Sequence, residues 1–509
     1  MCGIAGMWGD VDETLLQAML SKIAHRGPDG QGISLESSQG ALAHCRLAIM
    51  DPAGGDQPIY NEDRSRVLVA NGEIYNFPAL RTALSNRHRF RSRSDSEAIV
   101  HLWEDERSDA VRALDGMFAF VAMDDRSLFL ARDPIGIKPL YWGIHQPGAG
   151  REILCFASEV KSLANWVDEV AEVPPGTYYD SETGWGEYYQ IPEPSPLEDL
   201  SPEEHAGRLR AALERAVTKR LMSDVPVGAF LSGGLDSSII AALARQQVEE
   251  LHTFSVGIEG SPDIEAARRV ARHIGSIHHE YLYTGEEVLA HLPAILYHLE
   301  SFDQDLVRSA IPCYFCARLA SDYVKVILTG EGADELFAGY RYYKEIQDPD
   351  LLQEELRRSV SSLHNINLQR VDRMTMCHGI EGRVPFLDTD LIALAQTIPP
   401  QLKLKTLADG RQVEKWILRL ACQDLLPDDI VWRDKEQFDE GSGTVDLLAD
   451  LLQPLLAGLD VPAYRADHAD LPLRSAEECL YHKLLAEAFP RPEPVMRTVA
   501  HWTADRLAG

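Results

Sequence analysis

Residues 225–244 read Val-Pro-Val-Gly-Ala-Phe-Leu-Ser-Gly-Gly-Leu-Asp-Ser-Ser-Ile-Ile-Ala-Ala-Leu-Ala, and the stretch Ser232-Gly233-Gly234-Leu235-Asp236-Ser237 carries chemistry suited to an anion. The apolar run Val227–Leu231 predicts a buried strand, and Ser238 is read as opening an alanine-rich helix. A loop in that position aims unpaired backbone N–H groups and the positive helix end at whatever lies above it. Two adjacent glycines let the anion approach where a Cβ would block it. Asp236 then places a carboxylate beside the anion, which makes sense if Mg²⁺ is shared between them. The Gly-Lys-Ser/Thr ending of a P-loop is absent, so γ-phosphate transfer is not the natural reading. A second loop, Thr329-Gly330-Glu331-Gly332-Ala333-Asp334-Glu335, offers the acids Glu331 and Asp334 opposite Asp236. A plain strand–helix turn and an acidic surface turn are the competing readings of these two loops. At the other end of the chain, removal of Met1 would expose Cys2, uniting a thiol and an α-amine that serves as its base.

The elements that must position these groups can be read in outline. A chain of 509 residues is too long for one core. The first half alternates short apolar runs with turns: Ala41–Ile49, Val67–Ala70, Met117–Met123 and Leu128–Ala131 read as strands, and Ser94-Asp95-Ser96-Glu97 as a capped helix start. From residue 191 the chain turns polar and proline-rich to residue 204, a linker composition. We therefore expect domains at 1–190 and 205–509. After the linker, strands at 227–231, 251–256, 279–282 and 324–328 alternate with helices. This pattern predicts a doubly wound parallel sheet with flanking helices, whose ligand lies at the carboxyl ends of the strands. The formal charge of −30 argues against nucleic acid or an anionic membrane as partner. An anionic substrate must be held by local cations, Mg²⁺ and helix termini. No run of about 18 apolar residues is present, and the amino terminus lacks a signal-peptide pattern. Eight cysteines in so long a chain make no disulfide framework, so a cytoplasmic location is expected, and Cys313-Tyr-Phe-Cys316 is read as structural.

The opening Met-Cys-Gly-Ile, the turn His25-Arg26-Gly27-Pro28-Asp29, Asn71-Gly72-Glu73-Ile74-Tyr75-Asn76 and Ser94-Asp95-Ser96-Glu97 together resemble the class II glutamine amidotransferase domain. The resemblance implies a four-layer α-β-β-α sandwich of the N-terminal nucleophile type that hydrolyses glutamine. Cys2 would be the nucleophile that forms the glutamyl thioester, and Asn71 and Gly72 the oxyanion donors. Arg46 would grip the glutamine α-carboxylate, and Glu73 and Asp95 its α-amine. By themselves, Asn71-Gly72 also reads as a hairpin turn and Asp95 as a helix cap. Cys45, directly before Arg46, departs from the polar residue expected there.

The second half resembles the synthetase domain of the glutamine-hydrolysing asparagine synthetase family. The match runs through Ser232-Gly-Gly-Leu-Asp-Ser-Ser238, Phe254-Ser-Val-Gly257, Gly330-Glu-Gly-Ala-Asp-Glu335, Gly379–Asp388 and Trp432–Phe438. It implies that Leu231 and Val256 flank an adenine, with Gly330 near the ribose. Ser232, Gly233, Gly234, Asp236, Ser237 and Ser238 would hold the phosphates of ATP, and Asp236 and Asp334 the Mg²⁺. Glu331 would act at the acceptor site and Lys435 would meet the α-phosphate, while Glu381-Gly-Arg383 and Asp388 are read as holding the fold. Arg308-Ser-Ala-Ile-Pro312 departs from the family's Arg-Ala-Ser-Thr-Pro pattern. The expected reaction makes asparagine from aspartate, glutamine and ATP, giving AMP and pyrophosphate through a β-aspartyl-AMP intermediate. The expected partners are these small molecules, with a homodimer left open. A relative that amidates another carboxylate is the nearest competing reading, and an inactive glutamine-sensing module is a third.

Overall fold

In the computed structural model, which describes residues 2–35, 37, 39–148, 150–197, 199–433 and 438–501, the amino-terminal half contains twelve strands. These are β1 (Cys2–Trp8), β2 (Gly30–Ser34), β3 (Gly40–Arg46), β4 (Ile59–Tyr60), β5 (Val67–Ile74) and β6 (Gly116–Met123). They continue as β7 (Leu128–Arg132), β8 (Tyr141–Gly148), β9 (Arg151–Ala157), β10 (Ala171–Glu172), β11 (Thr177–Asp180) and β12 (Gly184–Glu187). Two antiparallel six-stranded sheets result, in the orders β10-β8-β9-β1-β3-β2 and β12-β11-β7-β6-β5-β4.

Period-two alternation decides what lies between and outside these sheets. Ile4, Leu42 and Phe156 of the first sheet meet Val69, Val121 and Leu130 of the second in one apolar layer. On the opposite face of the first sheet, Ala5, Met7 and Ala43 pack against Leu16, Met19 and Leu20 of α1 (Glu13–Lys22). On the opposite face of the second, Leu68, Phe118 and Phe120 pack against Ala98, Ile99 and Trp103 of α3 (Glu97–Glu106), with α2 (Phe77–Leu84) alongside. The four layers are therefore α-β-β-α. Burying each of these large side chains contributes about 1.5–3 kcal/mol. Cys2 shares the parity of Ile4, and Asn71 and Glu73 that of Val69, so all three point between the sheets.

The carboxyl-terminal half opens with α4 (Pro202–Arg220), started by a capping box between Ser201 and Glu204. Strands β13 (Val227–Phe230), β14 (His252–Gly257), β15 (Ile277–Leu282), β16 (Val326–Leu328) and β17 (Glu381–Arg383) form a parallel sheet in the order β15-β14-β13-β16-β17. Helices α4, α5 (Leu235–Arg245) and α6 (Pro262–Ile274) cover one face, and α7 (Gly285–Leu299) and α8 (Gln304–Ala320) the other. Order reverses at β13, so the crevice above its carboxyl end, between the loops after β13 and β16, is the natural ligand position.

Three details differ from the sequence reading. Helix α5 begins at Leu235 rather than Ser238, because extended Gly234 already serves as its N-cap, and Asp236 thus lies in its first turn. Ser96 makes no side-chain cap on α3; Asp95 instead accepts the Ile74 N–H at 2.6 Å, anchoring the helix entrance to β5. Strand β17 has no β-forming signature, and exists because its three buried residues pair in register with β16. Residues 191–197 are irregular as expected of a linker, yet they are docked: Arg357 donates to the Ile191 carbonyl at 2.9 Å, and Ser195 N–H to that of Gln396 at 3.0 Å.

Candidate active site

Cys2 pairs with Arg46 across β1 and β3, and its N–H donates to Asn71 Oδ1 at 3.0 Å. That bond leaves Asn71 Nδ2, fully buried, with no hydrogen-bond partner among the described residues. A buried, unspent amide donor beside a thiol is costly to keep and suited to a developing oxyanion. Gly72 follows with φ +150°, and a Cβ there would lie 2.0 Å from the Met117 carbonyl oxygen. Only glycine fits, because the backbone here runs against that of Met117 and Phe118 on β6. Burial pushes the Cys2 thiol above its ordinary pKa, and a Leu47 carbonyl contact and the Arg46 charge offset this only in part. A thiol so placed needs a local base, and its own α-amine after loss of Met1 is one.

Two carboxylates line the same recess. Burial drives Glu73 well above the carboxylate range, with Asp95 and Glu381 adding repulsion and Arg383 opposing it. Asp95 is raised to about 6, chiefly by burial, despite its bond from Ile74. Buried acids that repel one another are relieved by a cation such as a substrate ammonium. The Arg46 guanidinium sits in the following loop, 2.8 Å from Asp56 Oδ1 and 3.0 Å from the Pro52 carbonyl, so it orders the segment 50–56 at the recess. Cys45, a departure in the sequence, points the other way: its Sγ lies 3.1 Å from the Ile23 carbonyl in the α1 layer and does not enter the recess.

The wall of this recess comes from the other half of the chain. Arg383 Nη2 stands 3.3 Å from Glu73 Oε1, and its Nε donates to Glu381 Oε1 at 2.5 Å. Glu381 is held down to about 2; burial opposes its charge, but cationic neighbours including Arg383 and Lys138 outweigh it. Glu381-Gly-Arg383 was read as only holding the fold; the structure brings Arg383 beside Glu73. Local sequence carried no signal, because the contact is made by a strand more than 300 residues away. Asp388 is structural as read, pairing with Arg220 at 2.9 Å and Lys219 at 3.1 Å.

A second cavity of about 490 Å³ opens at the carboxyl ends of β13, β14 and β16. Leu231, Ser232, Gly234, Asp236, Ser237, Val256, Gly330, Glu331 and Asp334 all line it, as the sequence reading required. Gly233 and Ser238 do not: Gly233 turns the loop at φ +75° against α6, and Ser238 is fully buried within α5. Ser237 Oγ accepts from Ser232 N–H at 3.2 Å and meets Ser232 Oγ at 3.0 Å, bracing the loop. Ser309 of the variant segment lines the cavity, whereas Arg308 is drawn off to Glu477 at 2.9 Å. Lys435 lies outside the described residues.

The structure adds residues that the sequence did not single out. Lys415 Nζ bridges Asp236 Oδ2 at 2.5 Å and Asp334 Oδ1 at 2.6 Å. Its backbone is left-handed, φ 54°, a strained conformation for lysine that the Phe337 carbonyl helps hold through Lys415 N–H at 3.0 Å. Two carboxylates from the first turns of separate helices thus converge on one point charge, a donor set that equally fits Mg²⁺ carried in by a polyphosphate. Arg370 pairs with Glu331, and Arg341, Arg370 and Arg433 line the cavity with Lys415. The lining thus mixes cations with the acids Asp236, Asp263, Asp305, Glu331 and Asp334, most of them in ion pairs.

The glutamine amidotransferase domain family model matches residues 1–179, and the asparagine synthase model matches 208–351 and 344–505. Asparagine synthetase [glutamine-hydrolyzing] 2 of Arabidopsis thaliana is 41% identical over 468 residues, 87% of this chain and 79% of that protein. The enzyme of the same name from Oryza sativa subsp. japonica is 40% identical over 469 residues, again 87% of this chain and 78% of that protein. A solved glutamine phosphoribosylpyrophosphate amidotransferase from B. subtilis overlaps only loosely, with TM-score 0.32 and 21% identity over 50% of this chain and 65% of that chain. Because the two family models together match most of the chain and the plant enzymes are about 40% identical over 87% of it, the chain belongs to the family of glutamine-hydrolysing asparagine synthetases.

Proposed function

We propose that the protein makes asparagine from aspartate, taking nitrogen from glutamine and energy from ATP, with AMP, pyrophosphate and glutamate as the other products. The observation that carries this reading is the pairing, in one chain, of a thiol recess with an unspent amide donor and a crevice where acids and cations face a glycine loop.

In the first site, Arg46 binds the glutamine α-carboxylate while Glu73 and Asp95 hold the α-ammonium. The Cys2 thiolate attacks the carboxamide carbon, and Asn71 Nδ2 with the Gly72 N–H stabilises the oxyanion. Collapse breaks the C–N bond, releases ammonia and leaves the glutamyl thioester, which water hydrolyses. Free ammonia is largely protonated near neutral pH, so transfer away from bulk water preserves its nucleophilicity. Strand β17, which walls the recess and pairs with β16 of the second site, supports a short route between them.

In the second site, Leu231 and Val256 flank adenine, Gly330 approaches the ribose, and the Ser232–Ser237 loop receives the phosphates. The aspartate β-carboxylate attacks the α-phosphorus and displaces pyrophosphate, forming β-aspartyl-AMP; ammonia then displaces AMP. Asp236 and Asp334 would hold Mg²⁺, which when bound would neutralise pyrophosphate charge. Lys415 keeps those two carboxylates together, Glu331 acts at the acceptor, and Lys435 meets the α-phosphate. Residues 1–190 and 205–509 act as the two functional units joined by 191–204. All eight cysteines are free, which supports a reducing, cytoplasmic setting.

The test is product analysis with ATP, Mg²⁺, glutamine and a panel of carboxylic acids. Asparagine, AMP and pyrophosphate should form in equal amounts with aspartate alone. ADP with phosphate, or a different amide, would sink the reading.

A further inference from the structure

On the α3 side of the second sheet, four side chains from three segments bring metal-binding atoms together. Glu62 lies in the turn between β4 and β5, His88 in the connection from α2 to α3, and His101 and Glu104 one turn apart on α3. One ligand atom from each lies within 4.8 Å of all the others. His88 Nδ1 is 3.4 Å from Glu62 Oε1 and 3.9 Å from Glu104 Oε2, and His101 Nδ1 is 3.8 Å from Glu62 Oε2. Ligands about 2.0–2.1 Å from a tetrahedral zinc ion stand about 3.3–3.4 Å apart, so small side-chain adjustments complete such a shell.

Two independent features point the same way. His101 is fully buried, and neither of its ring nitrogens makes a hydrogen bond. A polar ring kept there without a partner is a cost that a metal bond would remove. Behind the His88 imidazole stands a carboxylate facing the opposite nitrogen: Asp105 Oδ2 is 3.1 Å from His88 Nε2. Carboxylate–histidine–metal relays of this kind fix the tautomer and raise the basicity of the ligating nitrogen. Charge agrees as well. Arg66 pairs with Glu104 at 2.8 Å and Arg87 with Asp105 at 3.0 Å, whereas the Glu62 carboxylate accepts the Arg89 backbone N–H at 2.6 Å and faces the two imidazoles. With both imidazoles neutral, the Glu62 and Glu104 carboxylates supply the negative charge that a divalent ion requires.

We propose that Glu62, His88, His101 and Glu104 bind a divalent transition metal, with zinc the best match to a two-nitrogen, two-oxygen tetrahedral set. The site is structural: it ties the β4–β5 turn and the α2–α3 connection to α3, the helix whose entrance carries Asp95. It takes no part in the reaction proposed above.

Full-length protein stripped by chelation is titrated with Zn²⁺ against a chromophoric indicator, and with Co²⁺ by visible absorption. One equivalent of Zn²⁺ per chain with sub-micromolar affinity is expected, with the intense d–d bands of tetrahedral Co²⁺. Zn²⁺ should also raise the thermal midpoint, since it binds only the folded chain. His88→Gln should weaken Zn²⁺ binding by about a hundredfold, and Asp105→Asn, which only orients His88, by about tenfold. His88 sits on a connection rather than within α3, and far-UV circular dichroism checks that its variant folds. Failure to take up Zn²⁺ stoichiometrically, or uptake indifferent to His88→Gln, would overturn the site and leave an ionic cluster only.

Discussion

Asp95 shows how one residue can be misjudged from its neighbours in sequence. Ser-Asp-Ser-Glu looks like a helix cap, yet the carboxylate is buried against β5 and its pKa is raised to about 6, first by burial and then by the nearby Glu381 charge. With a folded pKa above the unfolded value of 3.8, the ionised form is the disfavoured one in the empty recess. Its stabilising effect is present at low pH and is lost as pH rises through about 6. A bound ammonium reverses that preference. Glutamine should therefore bind the ionised form, and its KM should rise by roughly tenfold per unit as pH falls below the Asp95 pKa. Asp95→Asn keeps an acceptor for Ile74 and should flatten the profile while raising KM at neutral pH. A wild-type KM that stays constant through this range would show that Asp95 does not hold the substrate amine.

At the scale of elements, the helix Asn367–Met376 joins the two sites. One of its residues, Arg370, pairs with Glu331 in the crevice. Two residues on, Asp372 takes both prongs of Arg26, at 2.7 and 3.0 Å. Arg26 also donates from Nε to the Cys2 carbonyl at 3.1 Å and pairs with Glu159 at 2.6 Å. The chain of contacts runs from Cys2 to Glu331 through one helix. Arg26→Lys should break it selectively, since one ammonium cannot reproduce a fork that meets two carboxylates and a carbonyl. The glutaminase rate should fall by at least about tenfold with the fold retained, because a charge still faces Asp372; removing the charge outright with Arg26→Ala should cost about 3–5 kcal/mol of stability. Glutaminase assays and urea unfolding check this, and wild-type hydrolysis in Arg26→Lys would show that the fork does not position Cys2.

Over the whole molecule, a charge of −30 coexists with a cavity lined by Arg341, Arg370, Lys415 and Arg433. The acids Asp236, Asp263, Asp305, Glu331 and Asp334 line the same cavity, so an anion there must exchange existing ion pairs for its own, which short distances in a low dielectric allow. Separate sites predict separable activities. Cys2→Ala should lower glutaminase by several orders of magnitude, the scale for a lost nucleophile, yet leave ammonia-dependent synthesis near the wild-type rate at alkaline pH. Asp236→Ala should do the converse, abolishing exchange of pyrophosphate into ATP while glutamine hydrolysis survives. Parallel assays with each nitrogen donor decide it. Loss of both activities in either variant would contradict this division of labour.

Short-range physics made much of this legible in advance. The glycine loop after β13 and the acidic loop after β16 depend on turn chemistry and alternation, which neighbouring residues dictate by themselves, whereas the Cys2–Asn71–Gly72 set was legible only through its resemblance to the amidotransferase family. Nearly every residue read from the loops lines the crevice for that reason. What the chain's order could not reveal is which distant groups meet. Lys415 reaches Asp236 and Asp334 only because a strained backbone turns it inwards, and Gly339 is required there because a Cβ would lie 1.9 Å from Asp334 Oδ1. Arg383 faces Glu73 only because a three-residue strand joins the edge of the parallel sheet. His88 and His101 stack at 4.6 Å although the intervening residues carry no metal-site spacing. Such contacts are free energies of long-range burial and pairing, decided when sheets and helices pack, and no local propensity encodes them.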